Sequence, residues 1–234
     1  MEAFLTPEFW LAVGQIVMID ILLGGDNAVV IALACRNLPP ELRTKGIIWG
    51  TAGAIGLRVV LIFFAMSLLK LPYLKLIGAL LLIWIGIKLL VPEDDDHGNL
   101  QASDRLMGAI KTIIVADFVM SVDNVIGIAG AAQGAGHEGH QMPLVIFGLL
   151  VSIPIIVWGS TVVLKLMDRF PFIITGGGML LGWIAGTLAV ADPVVAPHLP
   201  TADSTRYFAG TLGALLVLAV GSVLARRAAA EAEA

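Results

Sequence analysis

Two acidic segments sit inside stretches that are otherwise apolar enough for a bilayer, and they match each other. Asp20–Ala32 and Asp117–Ala129 both place an aspartate six residues before an Asp-Asn pair, Asp26-Asn27 in one and Asp123-Asn124 in the other, at a constant offset of 97. Carboxylates buried in hydrocarbon are expensive, and they face protein or water and mark function where they occur. A chain carrying two such segments must fold around a shielded polar interior.

The rest of the sequence supplies the shield. Hydrophobic residues make up 58% of the 234 and charged ones only 14%, with a mean hydropathy of +0.94. A soluble domain of that composition would expose too much apolar surface. A span needs about 20 mostly apolar residues, and seven stretches qualify: roughly 9–35, 44–70, 73–91, 107–133, 142–168, 171–191 and 205–226. Proline punctuates their ends, and Pro154, inside the fifth, predicts a kink. The net charge of −4 and the scattered basic residues argue against a nucleic-acid partner, leaving membrane lipid and a divalent cation as the partners to consider. The single cysteine, Cys35, excludes a disulfide framework and a CxxC site. The first segment lacks the basic region and cleavage site of a signal peptide, so it is expected to remain as a helix.

The repeat extends past the acidic segments. Pro72, Gly78, Trp84 and Leu89 of the third span match Pro171, Gly177, Trp183 and Leu188 of the sixth, at an offset of 99. The predicted fold is an all-α membrane protein of seven transmembrane helices: two inverted three-helix repeats plus a seventh helix. Its parts are residues 1–91, a cytoplasmic acidic linker at 92–106, the second repeat at 107–191, and a loop, last helix and tail at 192–234. Inverted repeats with a midplane site are a common transporter architecture. With the N-terminus outside and the C-terminus in the cytoplasm, basic residues in the connections divide ten inside to three outside. The expected location is the cytoplasmic (inner) membrane.

On a helix, Asp20, Leu23, Gly24 and Asn27 share a face, as do Asp117, Met120, Ser121 and Asn124, with Asp26 and Asp123 at the edge. Asp20 and Asp26 stand roughly 9 Å apart along a continuous helix, too far for both to bind one ion. Antiparallel crossing of the first and fourth helices would level Asp20 with Asp123 and Asp26 with Asp117. Either an ion visits two acidic layers in turn, or unwinding at Gly24-Gly25 gathers one central cluster; the second arrangement is preferred. The donors are hard oxygens suited to Mg²⁺, Ca²⁺ or Mn²⁺. Met120 is a candidate sulfur ligand favouring Mn²⁺ or plain packing filler, packing having the better prior. Ser121 is a ligand or a small helix-contact residue. Arg58, the one basic group at depth, is expected to pair with an aspartate in the empty state and to help release the ion; the alternative is an arginine that snorkels or bridges carbonyls. Proton exchange is the natural coupling.

The Gly-Gly-Asp26-Asn27-Ala28-Val29-Val30-Ile31-Ala32 stretch and the Asp117–Val125 stretch resemble the two signature segments of the TerC family, close to its YjbE-like bacterial branch. The resemblance implies seven transmembrane helices, Mn²⁺ efflux for bacterial members, and a metal site on Asp20, Asp26, Asp117 and Asp123 with Asn27 and Asn124 beside them. The family name comes from tellurium-resistance clusters and plant members are tied to thylakoid biogenesis, so a Ca²⁺ or broad divalent exporter, and a membrane biogenesis factor with a structural ion, stay open. No nucleophile–base pair or His-rich centre points to an enzyme or a resident cofactor. Glu93–His97 and His137–His140 read as solvated loops. Gly178, Gly182 and Gly186 form a small-residue ridge for close packing within the protomer, with a homodimer as the alternative.

Overall fold

The computed structural model describes residues 7–68, 71–91, 102–134, 141–200 and 202–232. They form seven α-helices in chain order: α1 (Pro7–Cys35), α2 (Pro40–Leu68), α3 (Leu74–Leu90), α4 (Ala102–Gly134), α5 (Gln141–Arg169), α6 (Phe172–Val190) and α7 (Asp203–Ala232), with a 3₁₀ turn at Ala196–His198 before the last. Four are long and apolar enough among the described residues to cross a membrane: Pro40–Phe64, Ile146–Arg169, Phe172–Val190 and Asp203–Ala228. Their outer surface is apolar where a soluble protein would be polar. Trp49, Trp84, Trp158, Phe63 and Phe172 are all exposed.

Two sequence expectations change. The linker expected at 92–106 is shorter, because α4 begins at Ala102; Ser103, Asp104 and Arg105 extend the helix beyond its apolar stretch, with Asp104 suitably placed at the positive end of the helix dipole. Pro154 lies inside α5, which continues past it to Arg169. The unwinding at Gly24-Gly25 does not occur: α1 is one helix from Pro7 to Cys35. Glycine permits unwinding without requiring it, and the helical flanks decide. The acidic loops at 93–97 and 137–140 lie outside the described residues.

The helices sort into two groups. In the first, α1 packs along α5 and α2 along α4, while α1 and α4 meet in the interior. In the second, α3, α6 and α7 pack on one another. Contacts between the groups are sparser, chiefly α3 with α4 and α1 with α6. Leu33, Leu82, Ile113, Met167 and Leu181 belong to one continuous apolar core that joins them.

The α6–α7 contact has no side chains between the backbones. A Cβ at Gly182 would strike the carbonyl oxygen of Gly213, and one at Gly186 that of Ala209. At Gly178 the obstacle is the Leu90 side chain of α3. The ridge is therefore filled by α7 and α3 within the protomer. Beyond α6, the fully buried Asp192 ties the group at its end. It accepts hydrogen bonds from the backbone N–H groups of Val194 (2.9 Å), Leu76 (3.2 Å) and Tyr73 (3.3 Å). The last two are the free donors at the start of α3, where Tyr73 has a left-handed φ of 63° and gives no side-chain cap of its own. Burial alone would push the Asp192 carboxyl up, but the N–H donors of Val194, Leu76 and Tyr73 outweigh it and hold the group below the usual carboxylate range.

Candidate functional site

Asp117 projects from α4 into the interior and is met there by Arg58 of α2. The Arg58 Nη2 donates to Asp117 Oδ1 at 2.5 Å, and its Nε donates to Ser121 Oγ at 3.0 Å. Ser121, one turn after Asp117, donates its own hydroxyl to Asp117 Oδ2 at 3.0 Å. The three groups close a ring that engages both carboxylate oxygens. Arg58 is 1% exposed, Asp117 5% and Ser121 0%. The local reason is register: α2 and α4 run in the same direction, and Gly50 and Gly53 let α2 approach Ile113 and Ile114 closely. Two turns further on, that approach brings the long Arg58 side chain level with Asp117.

From α1, Asp26 lies within electrostatic range of both Arg58 and Asp117. One of its oxygens accepts from the backbone N–H of Asn27 at 2.9 Å. Asn27 itself is buried, and neither its carboxamide oxygen nor its nitrogen has a hydrogen-bond partner among the described residues. Buried amides are almost always paired, so this side chain is an exception among the described residues.

Of the residues singled out from sequence, the structure thus joins Arg58, Asp117 and Ser121 directly, with Asp26 within electrostatic range of the first two. Met120 is buried in the apolar core with Val119 and Ile113, the packing position. Asp20, Gly24, Asp123 and Asn124 lie in α1 and α4, but their surroundings fall outside the described residues. Among the described residues no three His, Cys, Asp or Glu side chains are grouped to hold a metal. Because α1 stays helical through Gly24-Gly25, Asp20 and Asp26 keep their separation of roughly 9 Å along the axis.

Sequence reasoning passed over Asp192, although an Asp-Pro step directly after an apolar span is a turn signal. Asp168 accepts from Arg43 at 2.8 Å, and Arg43 also donates to the carbonyls of Leu38 and Arg36, tying the start of α2 to the end of α5. Both groups of that pair are partly exposed.

Long apolar helices enclosing a charged, hydrogen-bonded centre define a polytopic integral membrane protein. The chain belongs to the TerC family of integral membrane proteins, whose family model matches residues 5–233. It is 40% identical to the membrane protein YjbE of Bacillus subtilis over 79% of this chain and 82% of that one. It is 25% identical to the membrane protein YkoY of the same organism, over 93% of this chain and 73% of the other. The inner membrane protein YgdQ of Escherichia coli K12 is 23% identical, over 70% and 74% respectively. No solved structure matches.

Proposed function

We propose that the protein is a secondary transporter that exports a divalent metal ion, Mn²⁺ in first place, from the cytoplasm by alternating access. The observation that carries this reading is the buried Arg58–Asp117–Ser121 ring beside Asp26 and the unpartnered Asn27. Ionisable groups at such depth mark ion pathways. TerC proteins are generally linked to ion or metal transport, which agrees with that inference.

The ring suggests how the site works. With Arg58 and Ser121 on its two oxygens, Asp117 is neutralised. A metal ion that binds it competes with Arg58 for the carboxylate, and on departure Arg58 closes again. The carboxylate is then never left bare in a low dielectric, where an unpaired charge costs most. Asp26 supplies a second carboxylate near Asp117, and Asn27 a hard neutral oxygen. An unbroken α1 supports two acidic layers over a single cluster, with Asp26 and Asp117 in one of them. Protons are the natural counter-ion, since carboxylates left without metal or arginine take them up.

Seven spans in two inverted repeats suit the packing. Exchanging α1 with α4 and α2 with α5 turns the α1–α5 contact into the α4–α2 contact, and these two are equally extensive. The distribution of Lys and Arg favours the N-terminus outside and the C-terminus in the cytoplasm of the inner membrane. A Ca²⁺ or broader divalent exporter uses the same oxygens. The scaffold reading, a membrane biogenesis factor with a structural ion, draws on one observation: the ring satisfies itself without a metal. No covalent chemistry enters any of these readings.

Flux measured in proteoliposomes with Mn²⁺, Ca²⁺, Mg²⁺ and Zn²⁺ side by side, with a pH probe inside, separates them. Transport predicts Mn²⁺ movement that Asp26→Asn and Asp117→Asn both stop while the protein stays folded. A protein that binds Mn²⁺ and gives no flux is a scaffold.

A further inference from the structure

Thr51 of α2 is 1% exposed, and its hydroxyl has no hydrogen-bond partner among the described residues. That is unusual for a helix in this chain. Thr112, Ser160, Thr161 and Thr211 each return the hydroxyl proton to the carbonyl one turn back, at 2.8–2.9 Å. Thr51 forgoes the same local partner, Ile47, in a place where an unmet hydroxyl is costly. Seven residues separate it from Arg58, so the two lie on one line of α2, on the buried side that faces Asp117 and Ser121.

The level of Thr51 can be fixed against α1. A Cβ at Gly46 would meet the Cys35 sulfur at 2.9 Å, which aligns those two positions of the antiparallel helices. From that contact Thr51 stands five residues along α2, Asn27 eight along α1, and Arg58 twelve along α2. At 1.5 Å per residue, Asn27 sits about 4–5 Å beyond Thr51, and the contact of Gly50 with Ile113 sets Asp117 at about the level of Asn27. The Thr51 hydroxyl thus lies about one turn before Asn27 and Asp117, on the side where Arg43 ties α2 to α5.

We infer that Thr51 and Asn27 form a staging site for a divalent cation entering from the Arg43 end of the helices, with Asn27 as the oxygen shared with the closed Arg58–Asp117 site. Neutral hydroxyl and carboxamide oxygens replace part of the hydration shell of a hard cation and bind it weakly enough to pass it on. Asp26, next to Asn27, supplies negative charge at that level. Its role presupposes that the chain carries divalent cations across the membrane.

The test uses the full-length protein, with Mn²⁺ alone as probe. Thr51→Val keeps the shape and removes the hydroxyl. Replacing an unmet buried hydroxyl by a methyl is neutral or stabilising, so the variant should unfold at the same temperature as wild type or higher. Its half-saturating Mn²⁺ concentration for flux should rise fivefold or more, its Mn²⁺ affinity in detergent should fall in parallel, and Thr51→Ser should restore both. Thr51→Ala replaces the valine variant if that does not fold. A half-saturation within twofold of wild type, or a lower maximal rate at unchanged half-saturation, overturns the staging site. Wild-type protein that binds Mn²⁺ without flux sinks the transport reading instead. In that case weakened binding by Thr51→Val still supports the site, and unchanged binding, or no binding by wild type, overturns it.

Discussion

The group formed by α1, α2, α4 and α5 and the group formed by α3, α6 and α7 solve opposite problems in one membrane protein. Among the described residues, the buried polar side chains within helices all fall in the first: Asn27, Thr51, Arg58, Asp117, Ser121, Ser152 and Ser160. The buried positions of α3 and α6 are glycine, alanine, leucine and isoleucine. The charged tie of the second group, Asp192, lies beyond its helices. Water drives little helix association inside lipid, so close backbone contact carries it. The Gly182–Gly213 approach gives that contact without any polar group. The first group accepts charge and unmet hydrogen bonds; the second supplies the tight packing that offsets them.

Five variants separate the two roles. Asp117→Ala leaves Arg58 buried without its carboxylate and should cost about 3–5 kcal/mol along with all flux. The double variant Asp117→Leu, Arg58→Met should recover stability in detergent unfolding and remain dead in transport. Recovery of flux by the double variant would break the comparison. Gly186→Val forces α6 away from α7 and should cost about 3 kcal/mol, yet flux per folded molecule should match wild type. Asp192→Ala removes charge-assisted bonds to the start of α3 and should cost about 2 kcal/mol. Its sign with pH is fixed. A carboxyl depressed in the folded state stabilises above the unfolded value of about 3.9 and loses that contribution as pH falls through the lower folded value. Wild type and Asp192→Ala should therefore converge in unfolding temperature on acidification below about pH 4. Smallest of all, Arg43→Ala should cost under about 1 kcal/mol, a difference that shrinks in high salt.

Much of this division can be read in the sequence, though not all of it. Apolar runs and prolines place the helices to within a few residues, because lipid leaves the backbone few alternatives. The Gly178–Gly182–Gly186 ridge announces a close contact but not its partner, α7. Arg58 and Asp117 are conspicuous as charges in apolar runs. That they meet through Ser121 depends on α2 lying along α4, a pairing no local pattern encodes. The Gly24-Gly25 step reads equally well as helix or break. Thr51 looks like any helical threonine until its lack of a partner is seen. Asp192 stands in a loop, and its worth lies in donors more than a hundred residues away in sequence.

The packing of α1 on α5 and of α2 on α4 has a consequence for how the chain is made. Helices synthesised first find their main partners only in the half that follows. While the ribosome is still on the second half, α2 waits in the bilayer with Arg58 and no Asp117 to receive it. Insertion of α4 then brings Asp117 to that arginine and docks α2, so the order of synthesis leaves this ion pair to form only once the second half has entered the bilayer.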